Sequence, residues 1–328
     1  MVLRRAGSRG LGLPSRMLGV GVCGVGDGVG VAFAPFSLSS SAAALVELSV
    51  TGHASPSARG APVFFLHGLL GSATNFRTLQ MAAARTRPTF ALDLRNHGRS
   101  PHAPDASLDA LACDVAAAIE KAQPRRSETA ATAPGATIVG HSLGGKVAMR
   151  LAQLRPDLVG GGVIVIDIAP VAYSGETNAG WKSVQGVVHA AAALNPSLYR
   201  TRGEVEAALA LHVPEAGVRS FVAQNLVPAA DGVYAWRVNF KNIIQSLPLY
   251  AGYPEDDVAR RNPATALLDA HFIAGELSPY IAPAHAGAIF DLFPKAKTHV
   301  VKGAGHWVHA DRPQEFWALL AVLLGCAV

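Results

Sequence analysis

The segment with the clearest chemical potential is residues 140–144, Gly-His-Ser-Leu-Gly, which matches the pattern G-x-S-x-G. The apolar stretch 136–140 leads into it and predicts a strand, and a helical pattern follows it to about residue 154. A serine on such a sharp strand-to-helix turn is exposed for attack on an acyl carbon, and the flanking glycines leave room for the turn. The pattern therefore predicts that Ser142 is a nucleophile.

A serine hydroxyl needs a general base, and His306 is the best candidate. It follows Gly303 and Gly305 in a loop after the predicted strand 299–301. Such a loop can carry the imidazole back over Ser142, where the ring takes the hydroxyl proton and later protonates the leaving group. His309 is the competing histidine, and we expect it to support the loop instead.

The acid that orients this histidine has two candidates. Enzymes with this motif mostly carry the acid after the strand that ends near Gly275, but here Glu276 follows and Ser278 stands where an Asp is expected. Asp167 instead ends the apolar strand 163–168, where a carboxylate needs a strong partner such as an imidazolium. Asp167 also keeps the chain order Ser, acid, His. We favour Asp167, with Glu276 as the alternative.

The turn after an earlier strand supplies a site for negative charge. Residues 67–69, His-Gly-Leu, follow the predicted strand 62–66. We expect the backbone N–H groups of Leu69 and Leu143 to hold the oxyanion of a tetrahedral intermediate, where one donor is worth roughly a hundredfold to a thousandfold in rate. This chemistry needs no metal and no redox cofactor.

The rest of the folded part alternates apolar strands with helices, which predicts an α/β fold with a mostly parallel sheet covered on both faces. Predicted strands lie at 45–50, 62–66, 90–94, 136–140, 163–168, 271–274 and 299–301, and predicted helices at 75–85, 107–121, 143–154 and 311–324. From about 171 to 263 the strand pattern stops, and helical patterns at 204–212, 218–226 and 238–247 predict an inserted helical cap. Trp181 and Trp236 are its candidate wall residues.

The composition of the first 44 residues predicts a leader that does not belong to the fold. We expect the folded domain to span residues 45–328. Four arginines precede the first acidic residue, Asp27, as in organelle targeting segments. Mitochondria are the expected destination, with a plastid or the cytoplasm as alternatives. The glycine-rich run 19–34 is too short and too polar for a stable membrane span. Its G-x-G-x-x-G match at 19–24 has no strand before it and no helix after it, so we reject a dinucleotide site.

Composition excludes other classes of partner. The net charge of +5 comes largely from the leader, and no basic patch elsewhere predicts nucleic-acid binding. The three cysteines have no metal-ligand spacing and no disulfide pattern. We expect a small-molecule substrate, whereas protein partners stay open.

From about residue 62 to its end, the chain resembles the α/β-hydrolase group that contains YbfF-type bacterial esterases and the mitochondrial alpha/beta-hydrolase domain-containing protein eleven. The matching stretches are 67–72, 93–100, 140–146, 167–171, 236–239, 278–280 and 305–310. The resemblance implies the α/β-hydrolase fold, esterase or thioesterase activity on short to medium acyl chains, Asp167 as the acid, and a mitochondrial location. The leader and the polar loop 124–134 lie outside the match.

Other activities are known on related folds. A dehalogenase or an epoxide hydrolase would carry Asp at position 142, so Ser142 argues against both. A C–C bond hydrolase or lyase could use the same three residues, and a non-catalytic binding protein could keep the fold. The sequence favours hydrolysis of a small to medium acyl ester or thioester, with these two as alternatives.

Overall fold

The computed structural model describes residues 44–123, 135–254 and 262–326. The predicted leader, apart from residue 44, and the predicted loop 124–134 lie outside the described residues. The division of the chain at residue 44 and the cap limits of 171–263 therefore stay predictions. No helix in the three described ranges is long and apolar enough to cross a bilayer.

A seven-stranded sheet forms the centre of the fold, in the order β1-β3-β2-β4-β5-β8-β9. Its strands are β1 (Val50–His53), β2 (Val63–Leu66), β3 (Thr89–Leu92), β4 (Thr137–His141), β5 (Val163–Ile166), β8 (Ala270–Gly275) and β9 (Lys297–Val301). Only β1, at one edge, is antiparallel to its neighbour, β3. All other neighbours in this sheet pair in parallel. The predicted mostly parallel sheet is confirmed.

Helices cover both faces of this sheet. The flanking helices are α1 (Arg77–Ala83), α2 (Leu108–Ala122), α3 (Leu143–Leu154), α8 (Ala286–Leu292), α9 (Val308–Asp311) and α10 (Pro313–Leu324). Successive residues of a strand face opposite sides. On β2, Phe64 packs in the cluster that contains α2 and α3, whereas Phe65 packs in the cluster that contains α1 and α10. Every residue of β2 is buried, as the continuous apolar run requires.

The described residues between β5 and β8, 167–254 and 262–269, are mainly helical, and we call them the cap. The cap contains α4 (Ala179–Ala193), α5 (Arg202–Leu209), α6 (Ala216–Ala223), α7 (Phe240–Ala251) and an antiparallel pair, β6 (Leu226–Pro228) and β7 (Tyr234–Trp236). Helix α4 packs against α7. The side chain of Asn178 accepts from Trp181 N–H at 2.8 Å and so satisfies a free donor at the start of α4.

Three details of the predicted elements were wrong. The first strand is β1 at 50–53 and not at 45–50, because residues 50–53 are the ones that pair with β3. The helix predicted at 218–226 ends at Ala223, and Leu226 begins β6. The Asn225 side chain between them donates to Leu70 O at 2.8 Å, which fixes the chain in a turn. Helices α4 and α8 were not predicted; Gly180, Gly186 and Gly287 interrupt their patterns.

Candidate active site

Ser142 lies on the turn between β4 and α3, with φ 52° and ψ −116°. This left-handed backbone is strained for a non-glycine residue and persists because its surroundings hold it. A Cβ on Gly140 would lie 2.2 Å from Gly144 O, and a Cβ on Gly144 would lie 2.3 Å from Leu66 O. Both glycines are therefore needed for close backbone approach, and the turn presents the hydroxyl at the carboxyl edge of the sheet.

His306 faces this hydroxyl, with 3.1 Å between its Nε2 and Ser142 Oγ. A second histidine fixes the loop that carries it, because His141 Nε2 lies 2.9 Å from the carbonyl oxygen of His306. A carbonyl only accepts, so this nitrogen of His141 carries the proton and donates. Burial lowers the pKa of His141 well below its usual value, which keeps the ring neutral and the donor in place.

Asp167 is fully buried just after β5 and accepts from His306 Nδ1 at 2.8 Å. Its other oxygen, Oδ1, accepts from the Gly275 N–H at 3.0 Å, and the Ser278 hydroxyl donates to Oδ2. A carboxylate oxygen can only accept, so the proton of a neutral His306 ring lies on Nδ1. Nε2 then offers a lone pair to Ser142, which is the state that a general base needs.

The alternative acid is not brought to this site. Glu276 is exposed; its Oε1 accepts from Lys302 Nζ and its Oε2 from the Gly303 N–H, both at 2.8 Å. The hydrogen bond from Lys302 is the main cause that holds the Glu276 pKa below its usual range. In place of an acid on this loop, Ser278 donates to Asp167 from the position where the sequence suggested an Asp.

The predicted oxyanion donors, Leu69 and Leu143, line the same cavity as Ser142. Within the part of the chain that the structure describes, neither backbone N–H donates to a protein acceptor. His67 holds the Leu69 turn in place, because its Nδ1 donates to Gly68 O at 2.8 Å and its Nε2 accepts from the Leu94 N–H at 2.9 Å. Two free donors beside a nucleophile can stabilise an oxygen that becomes negative.

Cap side chains close the cavity from above, and most of its cap wall is apolar. Trp181 lines it as predicted, together with Val184 and Val188 of α4. Trp236 does not, and its predicted role was wrong: its Nε1 donates to Leu194 O at 3.1 Å and its ring packs on Phe240 inside the cap.

Lys146 is a buried residue that the sequence analysis missed. It lies one turn into α3, and its Nζ, with three N–H donors, lies 2.7–3.1 Å from four carbonyl oxygens, those of residues 171, 250, 251 and 252. Three of these belong to the carboxyl end of α7, where unpaired carbonyls attract a cation. Burial lowers the pKa of Lys146 to about 7. The residue ties the cap to the helix that follows Ser142, and no local pattern in the sequence indicates this contact.

Known proteins are similar to this chain in sequence and in structure. A family model described as alpha/beta hydrolase family matches residues 63–319. The sn-1-specific diacylglycerol lipase ABHD11 of Mus musculus is 36% identical over 264 residues, covering 77% of this chain and 78% of that protein. Esterase YbfF of Escherichia coli (strain K12) is 32% identical, covering 77% and 88%. A solved structure of a marine microorganism esterase has a TM-score of 0.76 at 31% identity, covering 85% of this chain and 99% of that one. The resemblance inferred from the motifs is confirmed.

Proposed function

The chain belongs to the alpha/beta hydrolase family, and on this premise we propose that it is a carboxylic ester hydrolase in which Ser142, His306 and Asp167 form a catalytic triad. The observation that carries the proposal is the continuous hydrogen-bond chain from Ser142 Oγ through both nitrogens of His306 to a fully buried carboxylate. Several relatives are named as esterases or lipases, which supports the same reaction class.

The first half of the reaction transfers the acyl group to the enzyme. His306 Nε2 takes the hydroxyl proton while Ser142 Oγ bonds to the acyl carbon. The carbonyl oxygen becomes negative and accepts hydrogen bonds from the N–H groups of Leu69 and Leu143. The bond from the acyl carbon to the leaving oxygen then breaks, and the leaving group departs with the proton from His306. Asp167 stabilises the imidazolium that exists between these steps.

The second half returns the enzyme to its starting state. A water molecule gives a proton to His306 Nε2 and its oxygen bonds to the acyl carbon, so that the same two N–H groups hold the oxyanion again. Ser142 Oγ leaves with the proton from His306, and the carboxylic acid departs. Each step uses only groups of this chain and water.

We further propose that the substrate carries a small to medium acyl chain. The cavity beside Ser142 has a volume of about 80 Å³, and its apolar cap wall suits an acyl chain and not a charged group. Two named activities of the relatives, diacylglycerol lipase and esterase, involve acyl esters.

Hydrolysis of p-nitrophenyl esters and acyl thioesters with two to twelve acyl carbons tests this function. We expect turnover that peaks at a short or medium chain. Ser142→Ala should lower kcat by about a millionfold, since a nucleophile of a triad is worth that much. Ser57→Ala, at an exposed serine that does not line the cavity, is the matched control and should leave kcat unchanged. Wild type that hydrolyses no ester, or Ser142→Ala with kcat near wild type, contradicts the proposal.

We also propose that the first 44 residues direct the protein to mitochondria. Support comes from their four arginines before the first acidic residue and from their serine and glycine content.

A further inference from the structure

A second concavity opens beside the active-site cavity, and we call it the lateral groove. It has a volume of about 680 Å³ and runs between α1, α6 and the α9–α10 corner. Its apolar lining comes mainly from Leu79, Ala82, Val218, Phe221, Trp307 and Trp317. Among the described residues that line it, Asp311 is the one carrying a full charge, and its Oδ2 accepts from the Gly305 N–H at 2.8 Å. The groove therefore suits a neutral, apolar chain.

The lateral groove adjoins the active-site cavity. The two share five lining residues: Asn75, Val218, Phe221, Trp307 and His309. The rings of Phe221 and Trp307 lie with their centroids 6.1 Å apart at this junction. A ligand bound at Ser142 would have to pass these two rings to reach the groove.

The position of the groove assigns it to one side of the scissile bond. The leaving oxygen has to lie next to His306 Nε2, because that nitrogen gives it the proton. Trp307, which directly follows His306, and His309, in the first turn of α9, both line the groove. Leu143, Trp181 and Val188 line the active-site cavity but not the groove, so we place the acyl group on their side.

The two volumes indicate that the acyl group and the leaving group of the substrate differ in size. A water-sized group needs about 10–15 Å³ of such space, so the cavity beside Ser142 has room for roughly five to eight of these groups. The groove, at about 680 Å³, has room for many more. The larger apolar arm of a substrate therefore fits on the side of the leaving group.

We propose that the lateral groove is a leaving-group subsite that binds the apolar chain of a neutral alcohol released by the reaction. This inference rests on the proposed ester hydrolysis at Ser142. The described lining of the groove contains no Lys or Arg, so it offers no partner to a phosphate-bearing leaving group. A long-chain alcohol matches the groove, because the groove is large and apolar and lies beside His306.

Butanoate esters of ethanol, butanol and octanol test the proposal, each used below its solubility limit. The readout is the ratio of kcat/KM for the octyl ester to that for the ethyl ester. A methylene that leaves water for an apolar site contributes about fourfold, so burial of about three methylenes predicts a ratio of roughly 60 in the wild type.

Two variants fill the groove from opposite walls, Ala82→Trp on α1 and Gln314→Trp on α10. Each should lower this ratio by about tenfold. Met81→Trp, on the same helix as Ala82 but exposed and outside the groove, is the matched control and should keep the wild-type ratio. Agreement between the two filled variants separates a blocked groove from a local folding defect.

The outcomes distinguish the two proposals. A wild-type ratio near one, or a ratio that neither filled variant changes, overturns the groove assignment while ester hydrolysis stands. If wild type hydrolyses none of the three esters or the p-nitrophenyl series, the proposed function fails and the groove assignment fails with it.

Discussion

Replacing Asp167 by Asn tests the triad with a change of one atom, because the surrounding hydrogen bonds dictate how the new amide is oriented. The Gly275 N–H donates to Oδ1 at 3.0 Å, so an amide oxygen must take that place. The amide NH2 then occupies the position of Oδ2, opposite His306 Nδ1 at 2.8 Å. An NH2 group can only donate, so His306 has to present a lone pair on Nδ1 and hold its proton on Nε2.

This tautomer cannot accept the proton of Ser142. We therefore expect Asp167→Asn to lower kcat by about ten-thousandfold, which is about 5.5 kcal/mol of transition-state stabilisation. The KM of a p-nitrophenyl ester should change little, because Asp167 lies behind the imidazole. The comparison is kcat of the two enzymes at the acyl length that the wild type prefers, with urea unfolding as the check that the variant is folded.

Glu276→Gln is the matched control, since Glu276 is the other candidate acid and has its own partners in Lys302 and Gly303. We expect its kcat to stay within about twofold of wild type. A folded Asp167→Asn enzyme with kcat within tenfold of wild type would refute the orientation argument. A large loss in Glu276→Gln alone would assign the role to Glu276.

Two further predictions concern stability and location. Burial lowers the pKa of His97 to about 3, so the unfolded chain binds more protons than the native one between pH 3 and 6.5, and stability falls as the pH falls through that window. Between pH 8 and pH 5 the wild type should lose about 2 kcal/mol more free energy of unfolding than His97→Phe, measured by urea titration, and parallel losses would contradict this. A fluorescent protein fused after residues 1–44 should enter mitochondria, whereas the same fusion with its four leading arginines changed to Gln should not; cytoplasmic fluorescence of the unaltered fusion would remove the targeting proposal.

Local signals account for what the sequence predicted. The glycines around Ser142 and the glycine loop before His306 are consequences of backbone geometry, which neighbouring residues determine. The continuous apolar runs at 63–66 and 163–166 predict a parallel sheet, because strands that are covered on both faces are apolar throughout. These features are visible without knowing which elements meet.

Long-range contacts explain what the sequence missed. Lys146 looks like an ordinary helical lysine until the end of α7, about a hundred residues later, brings three carbonyls to it. Trp236 and Trp181 are equally plausible wall residues by type, and only the docking of α4 decides between them. The lateral groove is lined by α1, α6 and α10, which are widely separated in the chain. No local sequence pattern predicts these long-range contacts.

The backbone at the carboxyl edge of the sheet shows how the fold collects the site. Four of the five inner strands, β3, β2, β4 and β5, are each followed within four residues by a non-glycine residue with positive φ: Asn96, Leu70, Ser142 and Asp167, respectively. Each such residue costs of order 1 kcal/mol or more and persists only where its surroundings over-determine it. A left-handed residue turns the chain sharply, which lets a strand end and project a functional group within a few residues. Two of the four belong to the proposed triad and Leu70 follows a proposed oxyanion donor, so the strain lies where the proposed mechanism needs exact positions. The buried sheet beneath supplies the rigidity that sustains it.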